Sequence, residues 1–289
     1  MKKRRIIPWL FVAPTIFFLI FFLLYPSINT FILSFMGPNS EQFVGLQNYK
    51  WIFTSSAGLT ALRNNGLWIG IFTTMTVGFG LALAILLDRV PYEKILKSIV
   101  FMPMAISFVG ASIIWKFVYA YRPPGANQIG FLNAIMKAIG ANPLAWLIRR
   151  PWLNNFALIV VGVWIWTGYC MVVLSAAYKD VPQELIESAR IDGANEWQVF
   201  LHVTFPLLRS TIAVVATTII VFVLKIFDII YVMTNGQFGT EILANLMVKQ
   251  MFTFNNFGKA STAAIILLIL VIPLMIINIR RFRRQREIR

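Results

Sequence analysis

The chain predicts an all-α polytopic membrane protein: six transmembrane helices, both termini cytoplasmic, and a cytoplasmic helix-turn-helix between the fourth and fifth. Three observations carry this. Of the 289 residues, 58% are hydrophobic and only 13% charged, with a mean hydropathy of +0.74; a soluble domain covers its surface with about 25% charged residues. Apolar runs that reach the ~20 residues of a bilayer-spanning helix recur six times along the chain. Basic residues gather at the ends of those runs, mainly on one side, which orients the bundle.

The spans fall at about 8–35, 66–87, 98–120, 156–178, 211–233 and 260–279. The first follows Lys2, Lys3, Arg4 and Arg5, a pattern shared with signal peptides. No small-residue cleavage site follows, and the run exceeds the ~7–15 residues of a signal core, so it is expected to be retained. Prolines at 14, 26, 103 and 273 lie in or near spans and are expected to kink them. Between spans three and four, Arg122-Pro123-Pro124-Gly125 forms a turn. Phe131, Leu132, Ile135, Met136 and Ile139 then recur at helical spacing, as in a short helix lying in the interface. No internal repeat or separate soluble domain interrupts the chain, which is expected to form a single transmembrane domain over 1–289.

Charge and rare residues narrow the chemistry. A net charge of +15 and a pI near 10.3 match the footprint of nucleic-acid binders. Here the charges sit at span ends, where they set topology and meet anionic headgroups; membrane lipids are the expected partner, and nucleic acid is not. Lys2–Arg5, Arg89, Lys94, Lys97, Lys179, Arg190, Arg209 and the tail from Arg280 to Arg289 mark the cytoplasmic side. Lys50, Arg63, Arg122, Lys137, Arg149, Arg150, Lys249 and Lys259 are spread along longer loops opposite. The one cysteine, Cys170, forms no intrachain disulfide, and the one histidine, His202, builds no metal site alone. No metal and no cofactor are expected.

The segment 180–206 is polar, capped and short. Asp180 is placed to cap a helix, with Pro182 in its first turn and Gln183 three residues on. Gly193 ends that helix; Asn195, with Gln198 three residues later, caps a second one, which Pro206 stops. Leu185, Ile186 and Ala189 make an apolar face, and Glu184, Glu187, Ser188 and Asp192 a polar one. An amphipathic elbow resting on the membrane accounts for the caps and the stripe. It does not account for the whole run Glu187-Ser188-Ala189-x-x-Asp192-Gly193-Ala194 followed, ten residues after Gly193, by Val203-x-Phe205-Pro206.

That run resembles the cytoplasmic coupling loop of ABC importer permeases, whose pattern is E-A-A, then a glycine, then I-x-L-P. Glu187, Ala189, Asp192 and Gly193 hold matching positions, with Ala194 and Pro206 completing the two halves. Ser188 stands for the second alanine, and Val203 and Phe205 for isoleucine and leucine. The resemblance implies that the elbow docks into a cleft of an ATPase subunit. It extends further: Val223–Gly236 looks like the fifth-span signature of sugar-uptake permeases of the maltose and α-glucoside type. Trp9–Pro26, Phe43-Val-Gly-Leu-Gln-Asn-Tyr49 and Phe254-Asn-Asn-Phe-Gly258 are similar too. Phe238-Gly-Thr-Glu241 looks most like the α-glucoside branch. By this resemblance the chain is a permease subunit in a bacterial or archaeal plasma membrane, not itself an enzyme. It implies a second similar permease, two ATP-binding subunits, an extracytoplasmic sugar-binding protein and a sugar substrate. No G-x-x-x-x-G-K-[ST] loop is present, so ATP is left to partners.

The residues themselves suggest a polar lining. Lys225, Asp228 and Tyr231 follow at intervals of three and share one face if the fifth span is an unbroken helix. Charges within a span are costly and face a cavity or a partner; a self-neutralising pair that packs this helix on its neighbour is the alternative. Lys116 in span three, and Trp166 and Tyr169 in span four, are further candidates, as are Trp115, Tyr119 and Trp164. Aromatics in spans also serve as core or interface belt. An ion-coupled secondary transporter wants more acids or histidines within spans than Asp228. A membrane-embedded enzyme wants paired carboxylates or a nucleophile with its base. Neither explains the elbow.

Overall fold

The computed structural model describes residues 3–88, 90–123, 125–149 and 152–287, with side chains for all of these except 3–10, 274 and 277–287. Helices account for most of it, with one isolated β-bridge, Met36 to Phe43, among the described residues. We number the helices α1 (Lys3–Leu19, continued through a π turn at Ile20–Leu24 into Tyr25–Leu33), α2 (Gln47–Thr54), α3 (Ser56–Asp88), α4 (Glu93–Phe101) and α5 (Phe108–Val118). There follow α6 (Phe131–Ala138), α7 (Leu153–Lys179), α8 (Gln183–Ile191), α9 (Glu196–Val223), α10 (Asp228–Met233), α11 (Leu243–Phe252) and α12 (Phe257–Glu287).

Among the described residues, four helices are long and apolar enough to cross a membrane: Phe11–Leu33, Ser56–Asp88, Leu153–Lys179 and Glu196–Val223. A further crossing is possible in length and composition for Glu93–Ala105 with Phe108–Val118, which meet at 101°. The bend has a local cause. Pro103 lies in a 3-10 turn over Met102–Ala105, Ile106 is extended, and Ser107 starts a new helix by accepting from Gly110 N at 3.1 Å. The expected third span is therefore broken rather than straight. Pro26 and Pro206 are each the second residue after a π turn, Ile20–Leu24 and Phe200–Thr204, which accommodates the missing N–H without ending the helix. Pro206, expected to stop the elbow's second helix, instead sits inside α9.

The fifth span also departs from its expected form. The helix starts at Glu196, ends at Val223 and resumes only at Asp228. Leu224 and Ile226 are buried while Lys225 between them is exposed, and Phe227 is non-helical at φ −137°. A continuous helix would hold the ammonium in an apolar wall; the break turns it outward. Lys225 and Asp228 thus do not share a helical face, and they form no ion pair among the described residues. The sixth expected span lies in α12, whose apolar part is Phe257–Pro273. Of the residues used for orientation, Lys2, Arg89, Arg150 and Arg289 lie outside the described residues.

The chain forms two compact units, 1–59 with 246–269, and 60–245 with 270–289. In the first, the buried Asn48 donates to Ser34 O at 3.0 Å and Met36 O at 2.8 Å, and Thr262 Oγ1 donates to Ser34 O at 3.0 Å. Phe257 N donates to Pro38 O at 3.1 Å, and Lys259 lies 4.3 Å over the Trp51 ring. The turn after α1 is thereby tied to the head of α12. The α1 side chains from Phe11 to Leu33 face outward, with Phe17, Phe21 and Tyr25 stacked along one side.

In the second unit α3 and α7 are the main pair, and small residues allow them to close up. A Cβ at Gly80 would collide with Cys170, and one at Gly162 would lie 2.7 Å from the Phe72 ring. Gly168 does the same for α4, where Val100 O is 2.6 Å from its ideal Cβ. At one end of this pair five asparagines are buried: Asn64, Asn65, Asn154, Asn155 and Asn245. Asn64 Nδ2 donates to Gly239 O at 2.8 Å and Glu241 O at 2.7 Å, and Asn154 Nδ2 to Phe238 O at 2.7 Å. Asn65 Oδ1 accepts from Leu243 N at 2.8 Å. They satisfy a turn whose Asn235, Gly236, Phe238 and Gly239 all have positive φ.

Candidate functional site

The elbow is built from its caps inward. Asp180 ends α7 instead of capping α8, and Pro182, with extended backbone, holds the N-cap position without a side-chain bond. Proline's fixed φ and absent N–H suit that edge better than a side-chain cap two residues earlier. At the other end of α8, Gly193 takes φ +86°. Its N–H donates to Arg190 O at 3.0 Å and Ala194 N–H to Ala189 O at 3.0 Å, a Schellman closure. Asn195 opens α9 with a full capping box: Asn195 Oδ1 accepts from Gln198 N at 2.9 Å, and Gln198 Oε1 accepts from Asn195 N at 2.8 Å. Arg190 clasps Glu196 across the turn at 2.9 and 3.3 Å.

A small apolar core seats this corner. Tyr178, Val181, Ile186, Val199 and Leu208 are buried together, with Leu81, Ile85, Ala189 and Ala194 packed against them. The expected apolar face needs one correction: Leu185 is 47% exposed, because Ile186 alone of that pair points at α3 and α7. Ile191 is 86% and Trp197 66% exposed. Ser188, Ala189, Asp192 and Pro206, with Leu185, His202, Val203 and Leu207, line an open depression of about 360 Å³. Glu187, Gly193 and Ala194 lie outside that depression. The first two are exposed, and nothing lies within 4 Å of an ideal Cβ at Gly193.

Behind the elbow stands an ionic cluster that the sequence reading did not single out. Glu93 Oε1 is 2.5 Å from Lys97 Nζ and 2.6 Å from Lys179 Nζ; Asp88 is 3.5 Å from Lys179 and 3.9 Å from Lys97. Lys97 also donates to Ser175 Oγ. The ends of α3, α4 and α7 are joined here, next to where α8 begins. Only Glu93 and Lys97, four apart, were legible as a pair in the sequence.

The lining residues fall into two groups. Trp166 stands 4.1 Å from Phe222 and 5.6 Å from Tyr169 by ring centroids, with Phe108 parallel at 6.5 Å. Its buried indole Nε1 has no hydrogen-bond partner among the described residues. In the second group α10 packs on α5 and α7. Lys116 Nζ donates to Val232 O at 3.3 Å, and Tyr231, half exposed, stacks on Phe227 at 4.8 Å. Asp228 opens α10 on the same side as Tyr231, one turn on. Phe108 and Phe222 were missed; single phenylalanines in an apolar run carry no signal of their own. Trp115, Tyr119 and Trp164 do not join either group. Trp164 and Trp166 are two residues apart on a helix and so face nearly opposite ways; Trp164 lines a separate apolar cavity.

Known proteins bear on this arrangement. The profile described as "Binding-protein-dependent transport system inner membrane component" matches residues 76–286. The osmoprotective compounds uptake permease protein GgtC of Synechocystis sp. is 55% identical over 97% of this chain and 100% of its own length. The alpha-glucoside transport system permease protein AglF of Rhizobium meliloti is 48% identical over 96% of this chain and 83% of its own. In fold, the chain superposes with a TM-score of 0.81, at 22% identity, on a chain from the crystal structure of a bacterial ABC transporter involved in alginate import; the match covers 97% of this chain and 96% of that one. This chain belongs to the inner-membrane permease components of binding-protein-dependent transport systems.

Proposed function

We propose that the chain is the permease subunit of an ATP-driven importer of α-glucosides or closely related glucosyl solutes, and that residues 180–206 couple it to ATP hydrolysis. In this reading the whole of 1–289 works as one permease domain of six spans, with both termini cytoplasmic. Its partners are a second homologous permease, two ATP-binding subunits and an extracytoplasmic sugar-binding protein. The two relatives above, an alpha-glucoside permease and an osmoprotectant permease, support the substrate class.

The observation that carries the coupling reading is the contrast across the elbow. Its inner side is capped and seats Ile186 and Val199 in a buried core beside an apolar cavity of about 590 Å³, while Leu185, Ile191 and Glu187 stand exposed beside an open depression lined by Ser188, Ala189, Asp192 and Pro206. An elbow that only rested on the membrane would need no such seat. Gly193 provides a turn over which a partner's backbone can pass. The ionic cluster at Glu93, Lys97 and Lys179 transmits movement of the elbow to α3, α4 and α7. The sugar path runs by Trp166 and Tyr169 and by Lys116, Lys225, Asp228 and Tyr231, where an indole N–H without a partner among the described residues and charged side chains meet hydroxyl-rich ligands.

The test is sugar-stimulated ATP hydrolysis by the assembled transporter in liposomes, wild type beside Gly193→Asp, over a panel of α-glucosides. Stimulation by one sugar that the variant loses, with assembly intact, supports both parts of the reading. A variant that hydrolyses and transports like wild type removes the coupling role. An absence of response to every α-glucoside removes the substrate class.

A further inference from the structure

Between α5, α6 and the start of α7 lies a cavity of about 550 Å³, within the range of small-molecule sites. Its walls include Trp115, Tyr119, Phe131, Trp146, Phe156 and Trp164. Two of these rings have their polar ends engaged elsewhere. Tyr119 Oη donates to Ala157 O at 2.9 Å, and Trp146 Nε1 donates to Asn133 Oδ1 at 3.2 Å. Asn133 is fully buried and also bonds Ala120 O and both backbone groups of Leu144, which staples α6 over the cavity. A sugar entering here would give up water for aromatic carbon, whereas a hydrocarbon chain loses nothing. The flank is apolar and open: Ile114, Phe131 and Phe156 are 46%, 64% and 43% exposed.

The charge around this cavity has one sign. No Asp or Glu occurs between Glu93 and Asp180. Arg122, three residues after Tyr119, Arg149, three after Trp146, and Lys137, on α6 itself, are all exposed. Among the described residues none of the three forms an ion pair. An apolar cavity opening at a helix bundle's flank, with cations within three residues of its wall in the segments after Tyr119 and Trp146 and on α6, is complementary to one kind of molecule. It is an amphiphile with a hydrocarbon tail and an anionic head.

We propose that this cavity holds an acyl chain of an anionic phospholipid whose headgroup lies on Arg122, Lys137 and Arg149. The inference rests on α7 crossing the bilayer and on α5 lying within it as one arm of the bent α4–α5 pair, and it is independent of the sugar and of ATPase coupling. Its experiment uses the full-length chain, with the subunits that copurify with it, in nanodiscs of equal phosphatidylglycerol and phosphatidylcholine. Native mass spectrometry after release reads which lipid is retained. Wild type is expected to prefer phosphatidylglycerol by at least about tenfold. Val160→Trp, which fills the cavity from a partly exposed position, should lose the retained lipid. Arg122→Glu with Lys137→Glu and Arg149→Glu should abolish the preference.

A second readout does not depend on those variants folding. Phosphatidylglycerol brominated in its acyl chains should quench wild-type tryptophan fluorescence more than the phosphatidylcholine analogue does, and Trp115→Phe with Trp164→Phe should cut the excess to the share of Trp146, the third tryptophan of the cavity wall. Equal retention of both lipids by wild type, undiminished retention by Val160→Trp, or an excess quench undiminished by loss of Trp115 and Trp164 would each overturn the proposal. Neither readout involves transport, so a failure here leaves the importer reading in place, and a failed sugar response leaves this site standing.

Discussion

Two corners of this chain turn on a glycine at positive φ, and their surroundings are opposites. Gly193, at φ +86°, joins α8 to α9 with nothing near its ideal Cβ. Gly236, at φ +68°, joins α10 toward α11, and there the Glu241 carboxyl lies 2.5 to 2.6 Å from the same construction. Both glycines are required for backbone conformation. Only Gly236 also sits against a side chain of its own chain, the Glu241 carboxyl, which accepts from Asn245 Nδ2 and Ile242 N. The empty side of Gly193 is the one that a partner subunit is proposed to fill, so the same residue serves folding at one corner and recognition at the other.

The largest expected effect follows from the filled corner. Gly236→Ala adds a strained φ and a collision with a buried carboxylate, and should destabilise the chain by about 2–4 kcal/mol. Thermal unfolding of the detergent-solubilised protein measures this; an unchanged midpoint would mean that Glu241 moves aside freely. Next comes Asn64→Ala, which removes one donor from Glu241 O and the shorter of the two amide donors from Gly239 O, leaving Asn155 Nδ2 at 3.4 Å. A loss of about 1–3 kcal/mol is expected, confined to that corner. Hydrogen exchange should show faster amides over 234–243, with the elbow unaffected.

Gly193→Ala meets no atom, so its cost is the backbone term alone, about 1–2 kcal/mol. The comparison is sharpest here. Folding should suffer less than in Gly236→Ala, while sugar-stimulated ATP hydrolysis falls at least about tenfold. A variant that folds worse than Gly236→Ala, or keeps its stimulation, would dissolve the contrast. The smallest effect belongs to Arg190→Ala. The Arg190–Glu196 clasp is exposed on both sides, so its loss should change stability by less than about 0.5 kcal/mol. Urea titration of the wild type and variant side by side would expose any larger role.

Much of the elbow was legible from residues 183–198. Asn195 with Gln198, and Gly193 after Ile191, are signals read from neighbours three or four positions away, and the corresponding bonds lie within that distance. The errors come from the same source. Asp180 and Pro182 are each acceptable near a helix start, and which one holds the N-cap was settled by α7 running on to Lys179. Leu185 and Ile186 are equally apolar; α3 and α7 take only Ile186. The lining was less legible. Lys225 and Asp228 share a face only on an unbroken helix, and the helix breaks because Leu224 and Ile226 bury while the ammonium between them does not.

Composition, hydropathy and local spacing determine that this chain is helical, that it enters a membrane, and that its polar corner is a capped helix-turn-helix. Those properties depend on the transfer energy of side chains and on bonds closed within a turn or two, which a linear sequence contains in full. The tertiary structure alone decides which side of each corner is filled, where helices break, and which aromatics stand together. Gly193 and Gly236, or Trp164 and Trp166, are near-equivalents as letters. They differ in what distant segments bring against them: Glu241 against Gly236, Phe108 and Phe222 against Trp166, and α6 with Asn133 over the cavity of Trp164. Packing between residues far apart in the chain sets those neighbours, and no local pattern encodes them.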